Sequence, residues 1–273
     1  MILDKLILKG CDDHFTALQT QRGEISQNDP YSQWNLCDYT GDDALKILDA
    51  RMQFCQQLGI DLDHLVMPRQ THSTNVKVLD QKFIEASIEE QDSALEGVDA
   101  LVTKVPGLCI GVNTADCVPI ALADPKNGVI AIAHAGWRGT VGQIAAKTIE
   151  TMCKLGANAS NIVATMGASI CQECFEVGDE VVREFEQAGF NLSLIMSRNA
   201  TTGKALINLQ EANRQVLIKA GVNPSNIALT EHCSRCEHDR YFSARRLGIN
   251  SGRTFTAIIL QANRYMHSGV FCN

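Results

Sequence analysis

The chain has 273 residues, 45% apolar and 20% charged, which is enough for one large core and unlike the composition of a disordered chain. A formal net charge of −7, a pI near 5.5 and no local basic tract give no footprint for a phosphate backbone, so no nucleic-acid partner is expected. No run approaches the roughly 18 apolar residues of a membrane span, and the N-terminal MILDKLILKG lacks a signal-peptide pattern, so a cytoplasmic protein with no membrane partner is expected.

Residues 43–58 place Leu45, Leu48, Met52 and Cys55 at helical spacing, with Asp42 or Asp43 as the cap and Gly59 as the stop. Residues 140–155 repeat the pattern, with Val141, Ile144, Ala145, Thr148, Ile149 and Met152 on one face and Gly156 at the end. A third helix fits 209–220, before Gly221. All three run into a similar exit: LGIDLDHLVM from 58, LGANASNIVA from 155 and AGVNPSNIAL from 220. The intervals are unequal, so this is no solenoid; it predicts a mixed α/β architecture in which helices feed strands through one kind of connection. No Pro/Gly/Ser-rich linker divides the chain, and 1–273 reads as a single domain.

The segment 108–139 holds two apolar runs separated by Asp124-Pro125-Lys126-Asn127-Gly128, a turn composition that predicts an antiparallel hairpin of 117–123 and 128–134. Pairing Ala123 with Gly128 sets Cys117 opposite His134, where one metal or one proton could be shared. Both faces of the hairpin are apolar, with Val118, Ile120 and Leu122 on one and Ile130 and Ile132 on the other, so layers are expected on each side.

Cys117 and His134 sit at element ends, where function concentrates. Taken singly, each reads more readily as a packed thiol or a core imidazole. Opposition across a hairpin shifts that balance. His72 lies in Pro68-Arg69-Gln70-Thr71-His72-Ser73, and spacing alone does not bring it to the other two. Were it to join them, two imidazoles and a thiolate would leave a fourth metal position for water, as in catalytic zinc sites.

Gln70-Thr71-His72-Ser73, Thr114-Ala115-Asp116-Cys117-Val118-Pro119, Leu122-Ala123-Asp124-Pro125, Ala133-His134-Ala135-Gly136-Trp137-Arg138-Gly139-Thr140 and Phe242-Ser243-Ala244-Arg245-Arg246 resemble, in order, the signatures of the laccase-domain family, also called the polyphenol oxidoreductase or purine nucleoside phosphorylase family. The resemblance runs from about residue 20 to about 260. It implies an α+β fold, a layered α/β/β/α sandwich with mixed, largely antiparallel sheets. It also implies His72, Cys117 and His134 as zinc ligands, with copper the less favoured metal. The implied activity is phosphorolysis of adenosine, inosine and S-methyl-5'-thioadenosine with adenosine deamination beside it, so a purine nucleoside and phosphate are the expected partners; the oligomeric state stays open.

Arginine's planar fork suits phosphate, and Arg22, Arg138 and Arg245 stand in family-like motifs; the alternative for each is an ordinary ion pair. Asp116 could orient a ligand imidazole or act as a base, or simply form a turn. The chain departs from the family at Gly167-Ala168-Ser169-Ile170-Cys171, where a Gly-Pro-x-Ile-Gly segment is usual, and at Arg22-Gly23-Glu24-Ile25-Ser26.

Eleven cysteines read as reduced thiols, some packing and some binding metal. Cys171-x-x-Cys174 and Cys233-x-x-Cys236, with His232 and His238 beside the second pair, could close a structural zinc site. A gap of nearly sixty residues is long for such a motif, and coincidental cysteines near a sheet edge are the expected reading, with redox pairing as a third.

Three other functions compete. One is a Cys–His amidase or hydrolase using Cys117 and His134. Another is a copper-dependent polyphenol oxidase, disfavoured by only seven histidines. The last is a zinc-stabilised binding module.

Overall fold

Asp43 opens the helix Ala44–Leu58 by accepting hydrogen bonds from the Leu45 and Lys46 amides, and Gly59 closes it at φ 67°, a left-handed conformation that glycine adopts without steric cost. These elements belong to a computed structural model that describes residues 1–26 and 29–261. The other two sequence-read helices form at Ile144–Lys154 and Leu209–Lys219. The second is shorter than its pattern, because Gln143 at φ 65° separates it from a short helix, Trp137–Val141. All three recurrent exits have the same build: a 3-10 turn (Leu62–His64, Ala159–Asn161, Pro224–Asn226) delivers the chain into a strand.

A five-stranded sheet is ordered Leu3–Leu6, Phe15–Thr20, Thr254–Leu260, Cys109–Thr114, Leu65–Val66. A six-stranded sheet is ordered Ile227–Ala228, Val163–Met166, Val118–Asp124, Val129–Ala135, Ala100–Thr103, Val76–Leu79. Most neighbours are antiparallel; the parallel pairs lie at or near the sheet edges. A small three-stranded sheet, of Glu176–Val177, Ala205–Ile207 and Met196–Arg198, stands apart from both.

The expected layers follow from which face each side chain takes. Ala121, Ala123, Ile130 and Ile132 point inward and meet Ala17, Ile110, Val112 and Ile258 of the five-stranded sheet. Val118, Ile120 and Leu122 point outward and pack with Ile144, Ile149, Met152, Leu209 and Val216. On the far side, Ala50, Phe54 and Cys55 cover Leu18, Cys109, Phe255 and Ile259. The result is the α/β/β/α order that the family resemblance implies, in a single α+β domain. Among the described residues no helix is long and apolar enough to cross a membrane.

Two sequence expectations change here. The hairpin pairs Asp124 with Val129, and Pro119 rather than Cys117 lies opposite His134. Asp124 is drawn into the strand because its carboxylate caps the turn, accepting from the Lys126 and Asn127 amides, while Gly128 takes φ 63°. The register moves by two residues, so the period-two alternation still leaves Cys117 and His134 on one face.

The first helix also turns a different face inward. Leu45, Leu48 and Met52 are 76%, 42% and 57% exposed, whereas Ile47, Ala50, Phe54 and Cys55 are buried. Both stripes have helical spacing. The inner one carries Phe54, which stacks edge-on against Phe255 at 5.2 Å between centroids and buries more apolar area than any leucine. Phe54→Ala should therefore lower unfolding free energy by about 3–5 kcal/mol, and Leu48→Gln should stay within about 0.5 kcal/mol; urea denaturation distinguishes the two faces directly.

Candidate metal centre

The chain passes between the two sheets at one rim of the sandwich, and both crossings carry candidate residues. Residues 67–75 join Leu65–Val66 to Val76–Leu79, and 115–117 join Cys109–Thr114 to Val118–Asp124. His72 (φ 60°) and Asp116 (φ 88°) hold these turns in left-handed backbone. Such non-glycine conformations cost about 1 kcal/mol or more and persist only where the surroundings impose them. His134 comes from the end of the Val129–Ala135 strand.

His72, Cys117 and His134 converge, with all three donor atoms within 4.8 Å of one another. The Cys117 Sγ is 3.8 Å from the His72 Nε2, and the two imidazoles meet edge-on at 4.9 Å. His134 is 4% exposed, Cys117 half-buried and His72 exposed, so the cluster opens to solvent on the His72 side. That openness argues against a closed, purely structural metal position.

The donor set fits a metal ion, and so does the space beside it. A Cβ built on Gly136 would lie 2.9 Å from both the Cys117 Sγ and the His72 ring, so glycine here keeps the thiol and the imidazole in place. Nδ1 of His134 is 2.7 Å from Oδ1 of the fully buried Asp99. A ligating histidine whose second nitrogen is fixed by a carboxylate presents Nε2 in the correct tautomer.

Asp99 also accepts from the amides of Thr71, His72 and Ser73 at 3.1, 3.1 and 2.7 Å. Burial opposes its charge, but the hydrogen bonds and the His134 imidazole outweigh that and hold the carboxyl below its usual range. One carboxylate thus sets the orientation of two ligands. The sequence reading proposed Asp116 for this role. The structure gives it to Asp99, because Asp99 immediately precedes the strand Ala100–Thr103, which pairs with Val129–Ala135 through Ala100 and Ala133. The signal was an aspartate inside the apolar run Val98-Asp99-Ala100-Leu101-Val102; its partner depends on strand pairing that spacing does not disclose.

Asp116 instead ties two loops together. Its Oδ1 accepts from the Ser234 hydroxyl at 2.7 Å and its Oδ2 from the Arg245 amide at 2.7 Å.

The three arginines separate. Arg22 is 2% exposed, bonded to the Ser32 hydroxyl and the His238 carbonyl and stacked on Phe242. That placement does not suit phosphate contact and corrects the expectation for this residue. Arg138 is exposed over the Trp137 ring, in the short helix that follows His134. Arg245 is exposed, rests near Phe175 and reaches the Glu176 carbonyl, while its amide is held by Asp116, the neighbour of Cys117. A cavity of about 880 Å³ lined by Tyr39, Arg51, Met67 and Arg69, among others, adjoins the same crossing segment, but His72, Cys117 and His134 do not line it.

Comparisons with known proteins match this geometry to a family. Residues 15–261 match a family profile described as multi-copper polyphenol oxidoreductase laccase. The chain is 59% identical over 256 residues to adenosine deaminase RL5 of an unknown prokaryotic organism, covering 94% of this chain and 98% of that one. It is 40% identical over 248 residues to a purine nucleoside phosphorylase of Bacteroides thetaiotaomicron, covering 90% and 91%. Among solved structures, YlmD from Geobacillus stearothermophilus superposes with a TM-score of 0.84 at 29% identity, over 95% of this chain and 97% of the other.

Electrostatics yield a test of the cluster itself. Burial opposes ionisation of Cys117, but the charge and hydrogen bonding of His134, with help from His72, outweigh it and bring the thiol from 9.0 down to about 6. Burial likewise opposes the His134 charge, yet the Cys117 thiolate and Asp99 raise that imidazole to about 9. Metal-free protein therefore holds a thiolate–imidazolium pair between those values. Its Cys117 should react with iodoacetamide with a midpoint near pH 6, falling away below it, and His134→Ala should move the midpoint toward 9. Added Zn²⁺ should protect the thiol. Peptide mass spectrometry across a pH series reads all three effects.

Proposed function

The chain belongs to the laccase-domain family of polyphenol oxidoreductases, and on that footing we propose a zinc-dependent purine nucleoside enzyme. It would cleave adenosine, inosine and S-methyl-5'-thioadenosine with phosphate to the free base and the (methylthio)ribose 1-phosphate, and would also deaminate adenosine. The observation that carries this reading is the convergence of His72, Cys117 and His134 at an open rim, with Asp99 behind His134. The names of the relatives, adenosine deaminase and purine nucleoside phosphorylase, supply the substrate class.

In this reading His72 Nε2, Cys117 Sγ and His134 Nε2 hold the zinc. Zinc so bound supplies Lewis-acid polarisation of a water for deamination or of a substrate oxygen. Asp99 keeps the Nδ1 proton of His134 and fixes the loop that presents His72. Asp116 holds the Arg245 backbone against the Cys117 turn, and of the three candidate arginines Arg138 and Arg245 are the exposed ones that would meet phosphate from solvent. Charge-assisted contacts from such arginines would place an anion for attack and stabilise the charge that builds on it. Abundant thiols, ten of them free among the described residues, suit a reducing cytoplasm.

The oxidase reading fares worse. Coupling phenol oxidation to four-electron reduction of oxygen needs several coppers with many histidines, and the whole chain has seven. A metal-free Cys–His hydrolase has one specific observation behind it, the closeness of the Cys117 thiol to His134, where each group favours the charged form of the other.

Release of free base and of ammonia from the three nucleosides, with and without phosphate, separates these readings on protein of measured metal content. Base release should require phosphate, and both activities should fall in His72→Ala and His134→Ala by more than the roughly 10–100-fold that losing an outer partner costs. Full metal occupancy without turnover of any nucleoside contradicts the proposal, and amide hydrolysis by metal-free protein supports the hydrolase.

A further inference from the structure

Four cysteines that the sequence scatters into two distant pairs come together in the fold. Cys171 and Cys174 bracket a 3-10 turn, Gln172–Cys174, ahead of the strand Glu176–Val177. Cys233 and Cys236 bracket a turn that follows the strand Ile227–Ala228. A parallel bridge between Ser169 and Cys233 joins the segments, supported by hydrogen bonds from the Ser169 amide to the His232 carbonyl and from the Ser234 amide to the Ser169 carbonyl. All four Sγ atoms lie within 4.8 Å of one another, and Cys174 and Cys236 are 3.4 Å apart. The sequence expectation of coincidental cysteines is thereby corrected: the sixty-residue gap is closed by the sheet.

We propose that Cys171, Cys174, Cys233 and Cys236 form a second, structural zinc site, separate from the His72, Cys117 and His134 cluster. A tetrahedral ion with four Zn–S bonds of about 2.3 Å needs sulfurs roughly 3.8 Å apart, which the spacing brackets. The surroundings are those of thiolates. The Cys233 Sγ accepts from the amides of Cys171 and Cys236 at 3.3 and 3.5 Å, and the Cys174 Sγ accepts from the Arg235 guanidinium at 3.3 Å. Zinc binding releases the thiol protons to solvent and leaves a complex of net charge −2, which Arg235 partly offsets. His232 stands outside the four converging sulfurs, its Nδ1 held by Glu237 at 3.0 Å. A redox pair would use two of these sulfurs and leave the other two unexplained.

The ion has a mechanical task. Between its ligands Cys233 and Cys236 lies Ser234, which bonds Asp116, and directly after Cys174 comes Phe175, against which Arg245 rests. Residues 229–243 contain no helix or strand, so a tetrahedral clamp would tie their turns directly to the Cys171–Cys174 segment. The existence of the site does not depend on the activity proposed above.

Metal analysis of the full chain, purified under reducing conditions, tests the proposal without any assay of turnover. Wild type should carry two zinc ions per chain, a His72→Ala/His134→Ala double variant one, and Cys236→Ser one. Cys236 is the exposed ligand, so its replacement disturbs the core least. Cobalt loaded into the His72→Ala/His134→Ala variant should give the intense charge-transfer absorption of a tetrathiolate site, lost in the further variant Cys236→Ser while its thermal unfolding transition persists. A single zinc in wild type with none in the double histidine variant overturns the proposal. So does iron in this position, or a Cys174–Cys236 disulfide in freshly purified protein.

Discussion

Asp99 is fully buried, and its carboxylate takes the Nδ1 of His134 together with three successive amides of the Thr71–Ser73 turn. A buried charge is tolerable only when it is fully paired and hydrogen-bonded, so the rim geometry and the charge require each other. Removing the carboxylate would leave three amides and an imidazole without their acceptor. Keeping it forces His72 into a left-handed turn and aims both imidazoles at Cys117. The positive φ at His72 follows from the one interaction that also orients His134.

The layered sandwich supplies the setting for that interaction. Asp99, at the entrance of one strand, and His134, in its neighbour, belong to one sheet, while His72 and Cys117 arrive on the two segments that cross from the other. A site built this way inherits the rigidity of two packed layers and still opens at the rim, on the side of the exposed His72. Gly136 contributes by absence, leaving the volume that Cys117 and His72 occupy. Asp116, beside Cys117, is tied to Ser234 and Arg245, and the four-cysteine cluster lies on the same Ser234 segment.

Much of this was legible in the sequence. Capping and glycine stops place three helices, the repeated exits anticipate one kind of connection into a strand, and the two apolar faces of the hairpin announce layers on each side. The lost details share a cause: each depends on a choice between equivalent local patterns that only tertiary packing decides. The first helix has two apolar stripes, and the partner aromatic Phe255, two hundred residues away, selects the one with Phe54. The hairpin register turns on whether Asp124 belongs to strand or turn. Asp99 and the cysteine pairs acquire meaning only from strand neighbours distant in the chain. The three metal-ligand candidates were found through specific motifs, whereas Arg22 was misjudged because a buried arginine on Ser32 and Phe242 looks, in sequence, like any other.

Zinc affinity of Asp99→Asn, measured by chelator competition alongside the melting temperature of the metal-free protein, tests the central claim most directly. Asparagine keeps the shape and can accept some of the loop amides but loses the charge that fixes His134. Affinity at the His72, Cys117 and His134 cluster should fall about 10–100-fold while the metal-free protein stays folded. Wild-type affinity in this variant would show that Asp99 does not organise the site and would contradict the account.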